Sequence, residues 1–150
     1  MGRSMKILML PTFWLTLTIL SLLGAPSAHA EGEIIIIAHP SVSAKTLAAP
    51  DVQRIFLLKD TAWKNGAPII PVNREAASSE RLAFSSIVLG VSVRSLSNYW
   101  NRMQFKGYMP PVVQESDAAM IAFVQNVPGA VGYITTKDVP DGVIILARIH

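Results

Sequence analysis

The segment Asn73-Arg-Glu-Ala-Ala-Ser-Ser-Glu-Arg81 is the one stretch whose residue types and spacing point to a chemistry. It follows the apolar run Ile69-Ile-Pro-Val72 and precedes a helical pattern, so it reads as a polar strand-to-helix loop. Such a loop sets hydroxyls and a cation at a helix N-terminus, where free backbone N–H groups and the positive end of the dipole favour an oxyanion. Ser78 and Ser79 can donate hydrogen bonds, and Arg74 can grip two oxygens at once. Glu80 brings negative charge to the same first turn. The competing reading is that Ser78 only caps the helix while Arg74 pairs with Glu75 or Glu80 in solvent. Local chemistry leaves both open.

Other chemistries find less support. Beyond residue 30 the histidines are His39 and His150, so a His-based metal site is not expected, and no acid or base partner is placed by sequence for His39. There is no Gly-x-Ser-x-Gly elbow, His-Glu-x-x-His helix, Walker loop or dinucleotide glycine fingerprint. The expectation is therefore a non-enzyme, with no catalytic residue, metal or cofactor. Gly129-Ala-Val-Gly132 reads as a helix stop followed by a glycine within a strand, rather than as a clamp for a ligand. The absence of cysteine excludes disulfides, thiolate metal ligands, a cysteine nucleophile and lipid attachment through a cysteine.

The chain has 150 residues, 51% hydrophobic and 15% charged, which suits one compact domain. Arg3 and Lys6 precede an uncharged apolar run over residues 7–24, and Ala28-His-Ala30 closes it. This is the layout of a signal peptide over residues 1–30, cut after Ala30, with an α/β domain over 31–150 and a periplasmic destination. An uncleaved membrane anchor is the alternative, disfavoured by Pro11 within the run. Without Arg3 and Lys6 the formal charge falls from +3 to +1, and no Lys/Arg stripe remains to bind nucleic acid.

The elements that must position the loop follow from periodicity. Glu33-Ile-Ile-Ile-Ile-Ala38 is a continuous β-branched run, expected of a central strand covered on both faces. Pro50-Asp51 opens a short helix whose inner face is Val52, Ile55 and Phe56. Pro71 should keep the strand over 69–72 near an edge or at a strand end, and residues 73–77 read as loop. Ser78 or Ser79 caps a helix that runs to about Leu89 and stops at Gly90. Leu96, Tyr99, Trp100 and Met103 form one stripe on a helix over 95–104. Ser116-Asp117 begins a helix with Met120, Phe123, Val124 and Val127 inward, and strands follow over 130–134 and 143–149.

Read in order, Leu47-Ala-Ala-Pro-Asp-Val-Gln-Arg-Ile-Phe-Leu-Leu-Lys59, Trp63-Lys-Asn-Gly66 and Ile69-Ile-Pro-Val-Asn-Arg74 form a familiar series. Phe84, Tyr99-Trp100, Phe105-Lys-Gly107, Ser116 and Val127-Pro-Gly-Ala-Val-Gly-Tyr-Ile134 continue it. The series resembles periplasmic phosphate-binding proteins of ABC transporters over almost the whole of residues 31–150. That resemblance implies an α/β fold, namely a single lobe of a type II periplasmic-binding-protein fold with a mixed β-sheet flanked by helices. In that family an arginine, an acid and a Ser-Gly-Thr set hold the phosphate oxygens, and Arg74 and Ser78 match the arginine and the serine. Ala76 stands where the acid would be, Ser79 where the glycine would be and Glu80 where the threonine would be.

The resemblance implies a protein linked to phosphate uptake, with phosphate or a similar small oxyanion held by Arg74, Ser78, Ser79 and Glu80. Its other implied partners are a membrane permease or a sensor protein. Family members close two lobes around the ligand, whereas this chain has the length of about one, so a homodimer or another protein could supply the opposite wall. The alternative is an interaction module of the same fold whose ligand site has decayed, with apolar surface exposed where the other lobe would sit.

Overall fold

The computed structural model describes residues 1–2 and 32–150, so the expected signal peptide falls almost entirely outside the described residues. The elements are β1 (Ile34–Ala38), α1 (Ala49–Phe56), β2 (Ile70–Arg74), α2 (Ser79–Ile87), α3 (Val93–Gln104), β3 (Val112–Gln114), α4 (Asp117–Asn126), β4 (Ala130–Ile134) and β5 (Ile144–Ile149). They form one mixed sheet in the order β3-β2-β4-β1-β5, with β1 antiparallel to β4 and β5, and β2 parallel to β3 and β4. All five residues of β1 are buried. Ile34 and Ile36 point into a core shared with α1, α2 and α3, while Ile35 and Ile37 point into a second core under α4. The unbroken isoleucine run is thus the signature of a strand covered on both faces.

Capping hydroxyls set the helix starts. Ser78, Ser92 and Ser116 each accept a backbone N–H three residues on, at 3.1, 3.2 and 3.0 Å. The helix expected over 95–104 therefore opens two residues early, because Ser92 and not Ser95 is its cap. Two other points differ from expectation. The residues read as loop over 73–77 begin two positions later, since Asn73 and Arg74 complete β2. Pro71 does lie at a strand end, as the second residue of β2 next to the edge strand, and the ladder to β3 begins only at Val72, so the missing N–H costs no pairing there. The edge strand β3 was not foreseen, because three half-exposed or exposed residues after Pro110-Pro111 carry no alternating pattern.

This topology gathers one end of the molecule. The C-terminal ends of the parallel strands β2, β3 and β4 lie side by side, and α2 and α4 begin directly after β2 and β3. In open α/β sheets this is the end at which ligands are bound. Among the described residues no helix is long and apolar enough to cross a membrane.

Candidate functional site

Arg74 is the last residue of β2 and only 6% exposed. Its Nη1 donates to Asp117 Oδ1, its Nη2 donates to the Glu115 carbonyl at 3.2 Å, and Glu80 Oε2 lies 3.6 Å from Nη2. The solvent pairing expected with Glu75 or Glu80 is thus a buried pairing with an acid on another helix, and Glu80 is its outer partner. Asp117 is the first residue of α4, where the helix dipole favours a carboxylate. Its Oδ2 accepts the N–H groups of Thr135 and Thr136 at 3.0 and 2.9 Å and the Thr135 hydroxyl at 3.3 Å. One carboxylate thereby ties together the ends of β2 and β4 and the start of α4.

Beneath this pair lies Tyr133, fully buried, its ring stacked on Phe84 at 3.8 Å and edge-on to Phe56. Its hydroxyl donates to Asn73 Oδ1 at 2.8 Å and accepts the Arg74 N–H at 3.1 Å. Burial pushes this phenol up to about 12, offset in part by the Arg74 N–H and by the charges of Arg81 and Arg74. The unfolded chain releases the proton near the ordinary value of 10.0, so the stabilisation is whole below pH 10 and is lost as pH rises toward 12. Tyr133→Phe leaves the Asn73 oxygen and the Arg74 N–H without this partner, at an expected cost of about 1–3 kcal/mol at pH 8. The difference from the parent should shrink by about 1 kcal/mol at pH 11, as urea unfolding at the two pH values would read.

The serines divide their work. Ser78 is half-buried and its hydroxyl accepts the Arg81 N–H, so it caps α2, while Ser79 is exposed in the first turn. With the Arg81 N–H satisfied by Ser78 and the Leu82 N–H by the Ser78 carbonyl, the N–H groups of Ser79 and Glu80 lie outside the helix's own bonding. Glu80 is half-buried and turned toward Arg74.

Sequence reasoning missed two residues of this cluster. In the sequence Asp117 only marks, with Ser116, the start of a helix, because its partner is 43 positions away and no local pattern joins them. Arg81 closes the polar loop segment in the sequence, yet it is as buried as Arg74. A signal existed: Arg81, Phe84, Ser85 and Val88 sit at the 0, 3, 4, 7 spacing of one helix face, and all four are buried.

Elsewhere the residues weighed as functional have local roles. His39 Nδ1 lies 2.8 Å from the Ser41 hydroxyl and accepts the Ser41 N–H, which closes the turn after β1. Gly129 adopts φ +83° after α4, and a side chain on Gly132 would run into Met120, so both glycines answer to backbone and packing. A cleft of about 520 Å³, lined by Lys45, Asp51, Asp60 and Trp63 among others, opens at the opposite end of β2. No group of three or more His, Cys, Asp or Glu suited to a metal occurs among the described residues.

No family model matches the sequence. The fold does have solved counterparts. One is described as a phosphate ABC transporter substrate-binding protein from Clostridium perfringens with bound phosphate, at 27% identity and TM-score 0.62 over 77% of this chain. An ABC-type phosphate transport receptor from Vibrio cholerae, at 23% identity and TM-score 0.61, and PstS from Borrelia burgdorferi, at 17% and 0.58, also match over 77% of this chain and show the same fold. This chain covers 45%, 46% and 47% of those three, so it spans a little under half their length. It has the mixed sheet and flanking helices of about one lobe of a periplasmic binding protein.

Proposed function

We propose that this chain is an exported, non-catalytic lobe of the substrate-binding-protein type that holds phosphate or a related small oxyanion. The site is the mouth framed by Arg74, Ser78, Ser79 and Glu80. The observation that carries this reading is the convergence of three parallel strand ends and two helix N-termini on a buried arginine. Ser79 offers its exposed hydroxyl and its N–H, the Glu80 N–H stands beside it, and Ser78 holds the turn in shape. Likeness to a binding protein with bound phosphate supports the ligand class and, by analogy, a permease as partner and a periplasmic setting after removal of residues 1–30.

Thermal unfolding against phosphate, sulfate and chloride at matched ionic strength tests this. An anion at about 100 times its Kd should add about 2.7 kcal/mol of stability, and no rise with any of the three overturns the reading. Glu80→Thr removes a carboxylate from the mouth and should tighten anion binding about fivefold, the equivalent of about 1 kcal/mol of repulsion. Lys59→Ala, just beyond the C-terminal end of α1, should leave the affinity unchanged.

One surface favours a second reading, an interaction module with a decayed ligand site that docks on a membrane partner. Phe105 and Met109 are 94% and 74% exposed and lead into Val112 and Val113, which are also exposed, on the edge strand β3. That module would show no anion effect and would associate through this edge, so loss of association in Phe105→Ser is its test.

A further inference from the structure

Two buried arginines lie on the elements that frame the proposed mouth, Arg74 at the end of β2 and Arg81 in α2, but among the described residues only one has an acidic partner. Arg74 is engaged by Asp117, by the Glu115 carbonyl and by Glu80. Arg81, in the first turn of α2, is 6% exposed, and among the described residues no carboxylate lies within ion-pair distance of it. Its Nε and Nη1 are buried without a hydrogen-bond partner, and so is the Ser85 hydroxyl one turn further along the same face. The Nε of Arg74 is a fourth buried donor in this condition. Nearly all buried polar groups in folded proteins are bonded, and a buried cation without a counter-ion is costly.

Arg74, Arg81 and Glu80 belong to one cluster around Tyr133, with Ser85 one turn beyond Arg81 on the same helix face. Arg81 and Arg74 both act on the Tyr133 hydroxyl, as does Glu80, and that hydroxyl is bonded to the end of β2. Burial pushes the Arg81 guanidinium down from its ordinary value, though an arginine stays charged at any working pH. The first turn of α2 thus presents a permanent, desolvated positive charge with donors only, and the complement of that set is an anion that offers acceptors.

We propose that Arg81, assisted by the Ser85 hydroxyl, is the charge-bearing contact for the bound oxyanion, while Arg74 is held by Asp117 and positions the mouth. This rests on the oxyanion reading above and assigns within it the residue that binds. The bound anion serves as the counter-ion that the fold itself does not give to Arg81.

Calorimetric titration of the purified protein with potassium phosphate and potassium sulfate tests the assignment. Arg81→Met keeps most of the side-chain volume and removes the charge. It should weaken anion binding about 100-fold, the range of a lost charged hydrogen bond, while the anion-free melting midpoint stays level or rises because a buried unpaired charge is gone. A merely structural arginine would lower that midpoint, and such a drop overturns the proposal. Ser85→Ala, a milder change, should weaken binding about tenfold without unfolding risk. If the parent binds and both variants bind equally well, Arg81 is not the contact and the oxyanion reading survives. If the parent binds neither anion, both fall.

Discussion

Asp117→Ala is expected to lower the free energy of unfolding by about 3–5 kcal/mol, the cost of leaving a buried charge partner unpaired. Arg74 lies buried against Asp117, with one further carboxylate, Glu80, at 3.6 Å, so deletion strands most of its charge in the interior. The same change releases two backbone N–H groups, those of Thr135 and Thr136, and the Thr135 hydroxyl. Against a typical domain stability of about 5–15 kcal/mol this is a large fraction, and urea unfolding at pH 7 would read it as a fall in midpoint. Asp117→Asn keeps an oxygen for the threonine amides and loses the charge, so it should fall between parent and alanine variant. Equal stability of Asp117→Ala and the parent would show that the carboxylate does not staple β2, β4 and α4. The pairing also explains why Arg74→Ala is a poor test of ligand binding: it disturbs the fold before it reports on an anion.

Gly129→Ala should destabilise by a similar amount, about 3–5 kcal/mol, through two causes that act together. The residue turns the chain from α4 into β4 at φ +83°, a left-handed conformation that a side chain disfavours. A Cβ there would also press on the carbonyl oxygen of Pro68, which is backbone and cannot swing aside. The carbonyl of Gly129 accepts the Ile70 N–H at 3.1 Å and the Trp63 indole N–H at 3.1 Å, so a shift to relieve the clash opens the start of the β2–β4 ladder and unseats a buried tryptophan. Gly132→Ala is the control. That residue is extended and its Cβ would meet the flexible end of Met120, so the cost should be about 1–3 kcal/mol. If the two alanine variants melt together, the backbone clash at Gly129 is not the controlling term.

The proposed anion site separates what is local from what is not. Ser78 was readable as a cap, and Ser79 and Glu80 as first-turn residues, because a cap and its bonded N–H lie within three positions. Arg74 was readable as a candidate by type, but not its state. Its burial and its bond to Asp117 depend on β2, β3 and β4 running parallel, which brings residues 74, 117 and 135 to one point. Arg81 lay between these cases: the helical spacing of residues 81, 84, 85 and 88 marked its face, and only the folded core shows that no acid among the described residues reaches it.

By itself the sequence determined the elements whose causes are short-range: the doubly covered strand Ile34–Ala38, the capped helices after Ser78 and Ser116, and the turn at Gly129. It also carried the ordered landmarks by which the one-lobe α/β fold was expected. Tertiary structure alone decided that β2 is interior, that β3 exists, that Asp117 rather than Glu75 neutralises Arg74, and that Arg81 is buried without a counter-ion among the described residues. The physical reason is range. Caps, turns and periodicities act over a few residues and are written in the local sequence, whereas strand order and charge pairing join segments tens of residues apart and exist only once the chain has packed.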